Sequence, residues 1–78
     1  MPSNSILKDF GSHLKNIRVQ KNITQEQLAL LCDLDRTYIS GVERGKRNIS
    51  LLNIYKIASS LDIHPSELLI FKEIHTGC

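Results

Sequence analysis

Several residue types that define common protein classes are scarce in this chain of 78 residues. There is no Trp, and Cys and Pro occur only twice each. Two cysteines cannot build a disulfide framework, and neither Cys32 nor Cys78 belongs to a CxxC pair. His13, His64 and His75 do not show metal-ligand spacing either. We therefore expect no metal ion and no cofactor.

Long apolar runs are also missing, and so is a secretory signal. A transmembrane helix needs about 20 consecutive apolar residues, so we expect a cytoplasmic protein that does not bind a membrane. A length of 78 residues allows a single domain over residues 1–78. A core of this size is small, so the domain would gain stability from a partner subunit.

Residue patterns of catalysis are equally hard to find. The chain has no paired carboxylates on one helical face, no Cys–His arrangement and no Gly-rich phosphate loop. We interpret His13 and His64 as helix-surface or helix-start residues, and Cys32 as a core residue. The sequence therefore predicts that the protein is not an enzyme.

Positive charge is concentrated in one segment. The net charge of the chain is only +2. Residues 36–47 nevertheless carry Arg36, Arg44, Lys46 and Arg47 against the single acid Glu43. Focused charge of this kind determines binding partners more than the modest total does.

Apolar residues recur at spacings of three and four, which predicts an all-α fold. Thr24 and Gln27 form a capping box, so the second helix should begin at Gln25. Only Asp33 and Leu34 separate this helix from a third one. Two helices joined by so short a link meet at a steep angle, and we predict a helix-turn-helix over about residues 24–45.

Two further helices are predicted after residue 45. Ser50 caps the fourth helix. We expect its inner face to consist of Leu51, Ile54, Ile57, Ala58 and Leu61. Pro65 suits a first helical position and opens a fifth helix over about residues 65–74.

A helical wheel at about 100° per residue divides the third helix into two faces. The outer face carries polar, basic and small residues, namely Arg36, Thr37, Ser40, Gly41 and Arg44. The inner face carries Ile39 and Val42. The outer face suits the DNA major groove, where Arg bonds guanine and Thr contacts a thymine methyl group. On this helix alone a solvated face explains the pattern equally well, but the basic loop that follows favours DNA.

Two residues of the third helix raise separate questions. Tyr38 lies at the edge of the apolar face formed by Ile39 and Val42. From this position it could pack on the core or contact DNA, and the sequence does not decide between the two. Glu43 lies on the inner edge and needs a cationic partner there. Arg18 on the first helix is the natural partner, because breaking one side of a half-buried pair is costly.

The segment "TQEQLALLCDLDRTYISGVERGKRNISLLNIYKIASSLDI" resembles the lambda-repressor-like, Cro-type helix-turn-helix family, with a match from about residue 10 to 69. The narrower run "DRTYISGVERGKRNIS" resembles the controller proteins of restriction–modification systems. Many relatives have Gly in the turn where this chain has Asp33. Asp tolerates the left-handed conformation better than most residues, so we expect the turn to form.

The resemblance implies five helices, with the third helix in the major groove. Carried onto this chain, Arg36, Thr37 and Tyr38 meet base edges or the adjoining backbone, with Ser40 on the same face, and the helical wheel adds Arg44. The implied contacts with the DNA backbone come from Gln25, Arg47 and Asn48, and the basic loop adds Lys46. The Arg18–Glu43 pair matches a structural ion pair of the family.

Four consecutive apolar residues, Leu68–Phe71, lie in the predicted fifth helix. A terminal helix wrapped tightly on its own core is one explanation. A homodimer interface is the other explanation, and the resembled family commonly forms dimers. The predicted interface residues are Ile63, Leu69, Ile70, Phe71 and Ile74. The two recognition helices of such a dimer lie about 34 Å apart.

The sequence therefore predicts a transcriptional regulator that binds a pseudo-palindromic operator in double-stranded DNA as a homodimer. If it is a controller protein, it acts in the bacterial nucleoid on its own promoter and that of an endonuclease. An activator would also need to contact RNA polymerase, for which Glu26 is the candidate. A phage-repressor-like regulator and an antitoxin or other protein-interaction module on the same fold remain alternatives.

Overall fold

The computed structural model describes residues 3–71, without the side chains of residues 3 and 4. Within this range the chain forms four α-helices and one short 3-10 helix. The α-helices are α1 (Ser3–Gln20), α2 (Gln25–Cys32), α3 (Arg36–Glu43) and α4 (Leu51–Ser60), and the 3-10 helix spans Pro65–Leu69. The predicted all-α class is confirmed. No helix in the described range is long and apolar enough to span a membrane.

The prediction of a fifth α-helix over residues 65–74 is wrong. The chain makes a 3-10 helix of five residues at that place, and residues 72–74 lie outside the described range. The tighter turn is held from both sides by one pair: Glu67 N donates to the carbonyl oxygen of His64 over 2.9 Å, and His64 N donates to Glu67 Oε2 over 3.1 Å. Because 3-10 geometry bonds poorly over long runs, such helices stay short.

The start of each helix in the helix-turn-helix is fixed locally, as predicted. Thr24 Oγ1 accepts a hydrogen bond from Gln27 N, and Thr24 N donates to Gln27 Oε1, so the capping box of α2 is complete. Asp35 caps α3 by accepting from Thr37 N. These caps satisfy backbone N–H groups that a helix start leaves without partners.

All four α-helices end in the same way, with a left-handed residue just past the helix. The following N–H reaches back five residues, which is the Schellman arrangement. The left-handed residues are Asn22, Asp33, Gly45 and Asp62. The residues that follow them are Ile23, Leu34, Lys46 and Ile63, and their N–H groups bond to carbonyl oxygens at 2.8–3.1 Å. Ile23, Leu34 and Ile63 pack on the core, whereas Lys46 is exposed.

The core lies between α1, α2, α3 and α4 and is closed by the 3-10 helix. The fully buried large side chains are Leu14, Leu28, Ile39, Val42, Ile57, Leu61 and Leu68. The expectation that Leu51 faces inward is wrong, because 68% of it is exposed, as is 67% of Leu52. The first turn of α4 therefore extends past the edge of the core.

Gly11 allows α1 to approach α3 closely. A methyl group at this position would overlap the carbonyl oxygen of Val42 and lie 2.5 Å from that of Glu43. Only a residue without a side chain permits this contact between backbones. It fixes the end of α3 against α1.

Candidate nucleic-acid interface

The outer side of α3 presents the predicted polar residues. Arg36, Thr37 and Arg44 are exposed, and Ser40 is half-buried. Ile39 and Val42 are buried on the opposite side. Arg44 is the C-cap of the helix, and its Nε donates to the carbonyl oxygen of Ser40 over 3.4 Å. The freest basic side chain on this helix is therefore Arg36, at its first turn.

Gly41 does not lie open on this surface, contrary to the prediction from the wheel. It is buried, and a methyl group added to it would lie 2.8 Å from Cγ of Arg47. The reason is the end of α3: Lys46 N donates to the carbonyl oxygen of Gly41 over 2.8 Å, which turns the chain back on the helix. The side chain of Arg47 then covers Gly41.

Tyr38 is half-buried and packs against the core, with both its ring and its hydroxyl engaged. The guanidinium carbon of Arg47 lies 5.7 Å from the centre of the ring, within the range of a cation–π contact. Asn53 Nδ2 donates to the Tyr38 hydroxyl over 3.0 Å. Tyr38 thus joins α3, the following loop and α4.

The basic loop after α3 adds three exposed residues, Lys46, Arg47 and Asn48. Lys46 and Arg47, together with Arg36, make the surface between the start of α3 and its end positively charged. The loop contains no acidic residue before α4 begins at Leu51. A surface of this kind attracts a polyanion.

Glu43 faces away from this surface and makes a bidentate ion pair with Arg18. Arg18 Nε lies 2.6 Å from Glu43 Oε2, and Arg18 Nη2 lies 3.0 Å from Glu43 Oε1. Only 9% of the Arg18 side chain and 2% of the Glu43 side chain are exposed. Arg18 Nη1 also donates to the carbonyl oxygen of Ile23 over 2.8 Å. The pair therefore joins α1, the start of α2 and the end of α3.

Gln25 takes part in the same network, which sequence reasoning missed. Its Nε2 donates to Glu43 Oε1 over 3.0 Å. Gln25 and Glu43 are 18 positions apart, and no local pattern marks such a bond. The starts of α2 and α3 also border one open hollow, lined among others by Thr24, Leu34 and Arg36. The start of α2 thus lies on the same side of the molecule as the start of α3.

The predicted dimer residues divide into exposed and supporting ones. Leu69 is 55% exposed and Ile70 is 72% exposed, whereas Ile63 and Phe71 pack against the core. The Phe71 ring lies edge-on to Phe10, at 5.9 Å between ring centres. Ile74 lies outside the described residues. The structure therefore brings Leu69 and Ile70 to the surface on a supported segment.

The described residues meet neither the requirements of a metal site nor those of a nucleophilic cysteine. No group of three or more His, Cys, Asp or Glu residues could hold a metal ion there. Cys32 is buried, and its Sγ donates to the carbonyl oxygen of Leu28 over 3.0 Å. Burial raises the pKa of the Cys32 thiol above its ordinary value. The thiol therefore stays protonated at neutral pH and is a poor nucleophile.

The helix-turn-helix family model matches residues 14–68, which include α2, the turn and α3. The chain belongs to the helix-turn-helix family. Within this family it is 51% identical to the control protein C.BamHI of Bacillus amyloliquefaciens over 73 residues, which are 92% of this chain and 90% of that protein. Its relatives thus include controller proteins of nearly the same length.

Two solved structures of controller proteins share the fold. The restriction–modification controller protein C.AhdI from Aeromonas hydrophila has a TM-score of 0.81 and 53% identity, over 82% of this chain and 97% of that one. The controller protein C.Esp1396I, solved as a tetramer with its natural operator of 35 base pairs, has a TM-score of 0.74 and 38% identity, over 81% of this chain and 83% of that one. The helix-turn-helix predicted from sequence is therefore that of the controller proteins.

Proposed function

We propose that this helix-turn-helix protein is a sequence-specific DNA-binding transcriptional regulator, the controller protein of a restriction–modification system. The observation that carries the proposal is the surface formed by Arg36 and Thr37 at the start of α3 and the basic loop at its end. The similarity to C.BamHI and C.AhdI supports the narrower part of it.

Recognition divides between the two ends of α3. An α-helix fits the major groove of DNA, and an Arg there can bond both acceptors of guanine. Arg36 and Thr37 are the exposed residues of the first turn, so they meet the base edges, and Ser40 and Arg44 lie farther along the same face. The loop residues Lys46, Arg47 and Asn48 bind phosphates, which set the position of the helix but carry no sequence information.

Tyr38 and Gln25 have intermediate positions. Because the Tyr38 hydroxyl accepts from Asn53 and its ring lies beside Arg47, Tyr38 acts on DNA mainly through the placement of Arg47. Gln25 is the first residue of α2, and its neighbours Thr24, Glu26 and Gln27 line the same hollow as Arg36, so Gln25 contacts the DNA backbone on this side.

The protein acts as a homodimer on a pseudo-palindromic operator. Leu69 and Ile70 are exposed apolar side chains next to the buried Leu68, and covering them requires a second apolar surface. An isologous interface places this same patch on both subunits. The tetramer of C.Esp1396I on its operator supports assembly of several copies on DNA.

The protein binds DNA and does not catalyse a reaction. It acts in the bacterial cytoplasm, at the nucleoid, on its own promoter and that of the endonuclease. Glu26 is exposed early in α2, where it is available to RNA polymerase if the protein activates transcription.

Selection of bound duplexes from a random pool tests the DNA-binding role. We expect enrichment of an inverted repeat whose half-sites lie about one helical turn apart. Affinity for the selected duplex should fall steeply with salt, because binding releases counterions from phosphates. A pool that shows no enrichment, together with a tight complex with another protein, would instead support an interaction module.

The dimer interface is tested by Ile70→Ser, with Leu30→Ser as the matched control. Both residues are strongly exposed, at 72% and 84%, but Leu30 lies on α2, away from the 3-10 helix. We expect sedimentation to show a monomer for Ile70→Ser at concentrations at which Leu30→Ser and the unmodified chain are dimers. Equal dimer fractions for the two variants would contradict the assignment of the interface.

A further inference from the structure

Gln25 and Glu43 form a bond whose role in DNA binding can be worked out from its chemistry. Gln25 is the first residue of α2 and is half-buried, whereas Glu43 is the last residue of α3 and is almost fully buried. The bond runs from Gln25 Nε2 to Glu43 Oε1 over 3.0 Å. It therefore connects the interior of the molecule to a side chain that is still open to solvent.

A carboxylate fixes which end of the Gln25 amide points inward. Carboxylate oxygens only accept hydrogen bonds, so the amide nitrogen must face Glu43 and the amide oxygen must point elsewhere. The amide nitrogen carries two N–H groups, and Glu43 uses one of them. The second N–H is left as a donor that points away from Glu43.

Glu43 is itself held firmly and neutralised. Two bonds from Arg18 fix both of its oxygens, at 2.6 and 3.0 Å, and Arg18 is in turn bound to the carbonyl oxygen of Ile23. The carboxylate cannot rotate without breaking these bonds. Because Arg18 balances its charge, Glu43 adds little repulsion to an anion near Gln25.

We infer that Glu43 is a positioning residue for DNA binding, which fixes the Gln25 amide so that its second N–H meets a phosphate oxygen of the DNA backbone. The inference rests on the proposed function. Gln25 stands at the start of α2, where the helix dipole favours a negative group. Thr24, Glu26 and Gln27, on either side of Gln25, line the same hollow as Arg36. The ion pair thus sets the geometry of a backbone contact as well as holding the helices together.

A double-mutant cycle measures this coupling. One variant is Gln25→Ala. The other replaces the ion pair by apolar residues of similar volume, Arg18→Met with Glu43→Met, since such replacements can preserve a fold. The third chain combines all three changes. Affinity is measured on the duplex recovered by selection and on an unrelated duplex, and chemical unfolding checks that each chain is folded.

We expect Gln25→Ala and the pair replacement each to weaken binding about tenfold, the effect of a lost hydrogen bond to a charged group. In the chain that combines them, Gln25→Ala should cause less than a twofold further loss. Both duplexes should weaken alike, because a phosphate contact does not depend on sequence. A full further loss from Gln25→Ala, or a loss confined to the selected duplex, would assign the pair a purely structural role.

A second measurement needs no variant and no DNA. Nuclear magnetic resonance relaxation of the three Gln side-chain NH2 groups compares Gln25 with Gln20 and Gln27, which are both exposed. We expect the Gln25 amide to be much more rigid than that of Gln20. Equal mobility would overturn the inference even if the pair replacement failed to fold. If the unmodified chain binds no duplex while Gln25 is rigid, the proposed function fails and the Gln25–Glu43 bond stands.

Discussion

The turn between α2 and α3 and the loop between α3 and α4 both have a left-handed residue near their start, and the N–H of the next residue bonds back to the preceding helix. In the turn, Asp33 has φ 56° and Leu34 then packs on the core. In the loop, Gly45 has φ 74° but the next residue is the exposed Lys46. The backbone geometry at the two helix ends is thus alike. The side chain that follows is packed on the core in the turn and exposed to solvent in the loop.

This difference separates two tasks within one helix-turn-helix. Leu34 holds the turn by burial, so the start of α3 has a fixed position relative to α2. The loop instead places an exposed Lys directly after its left-handed residue, and its apolar contact with the core comes three residues later, from Ile49. Between them Arg47 covers Gly41 and lies beside Tyr38. A fixed turn suits base reading, and a loop that exposes basic side chains before its apolar anchor suits contact with phosphates.

Gly45→Ala should have the largest effect, because the loop depends on a residue without a side chain. An added methyl group would lie 2.9 Å from Cα of Lys8 and 3.0 Å from its N. Left-handed Ala costs about 1–2 kcal/mol, and crowding against α1 adds about 1–3 kcal/mol. We expect chemical unfolding to show a loss of about 2–5 kcal/mol in the free energy of unfolding.

Asp33→Ala is the matched control for Gly45→Ala. Asp33 already carries a Cβ in the left-handed conformation and is exposed, so Ala adds no new atom at that point. Ala tolerates the left-handed conformation somewhat less well than Asp, so the loss should stay below about 1 kcal/mol, smaller than that for Gly45→Ala. Equal losses for the two variants would mean that the contact with Lys8 is unimportant.

Arg36→Ala and Lys46→Ala should separate the two tasks in DNA binding. Loss of a bidentate contact with a base costs about 1–3 kcal/mol and relaxes the preference at one position. Loss of Lys46 should weaken all duplexes alike and reduce the salt slope by about one unit. Binding titrations over a salt series, on selected and singly altered duplexes, measure both. A uniform loss for Arg36→Ala would mean that Arg36 contacts phosphate.

Much of the helix-turn-helix could be predicted because its signals are local. The capping box of Thr24 and Gln27, the cap Asp35 and the left-handed Asp33 each act within a few residues. The predicted partnership of Arg18 and Glu43 is a longer-range case. It could be inferred because an acid on an apolar face must find a cation.

The predictions that were wrong concern features set by contacts between residues far apart in the sequence. Arg47 covers Gly41, and Gln25 bonds to Glu43, because of the way the helices and the loop pack. The spacing of residues in the sequence does not indicate either contact. Position 51 fits the apolar stripe of α4, yet Leu51 is exposed because the helix extends past the core. The 3-10 helix arises where the short segment after Pro65 must close on the core through Leu68.

Gly41→Ala should affect binding more than it affects stability. The added methyl group would lie 2.8 Å from Cγ of Arg47, so the whole Arg47 side chain must shift from its place beside Tyr38. Ala inside a helix is favoured over Gly by about 0.5–1 kcal/mol, which offsets part of the cost of this shift, so stability should change by less than about 1 kcal/mol. We expect a loss of affinity of a few-fold, about 1 kcal/mol, as for one displaced phosphate contact. With Arg47→Ala already present, Gly41→Ala should have no further effect on affinity, and an additive loss would contradict this coupling.

Asp33→Gly should have the smallest effect and the opposite sign. Gly removes the strain of a left-handed side chain, which for Asp is at the low end of about 1–2 kcal/mol, but loses more chain entropy on folding, about 0.5–1 kcal/mol. The expected net gain is about 0.5 kcal/mol, or a rise of about 2–4 °C in the thermal midpoint for a domain of this size. Because Leu34 still anchors the turn, DNA affinity should not change. A loss of affinity at unchanged stability would show that the Asp33 side chain, and not the apolar anchor alone, holds α3 in its reading position.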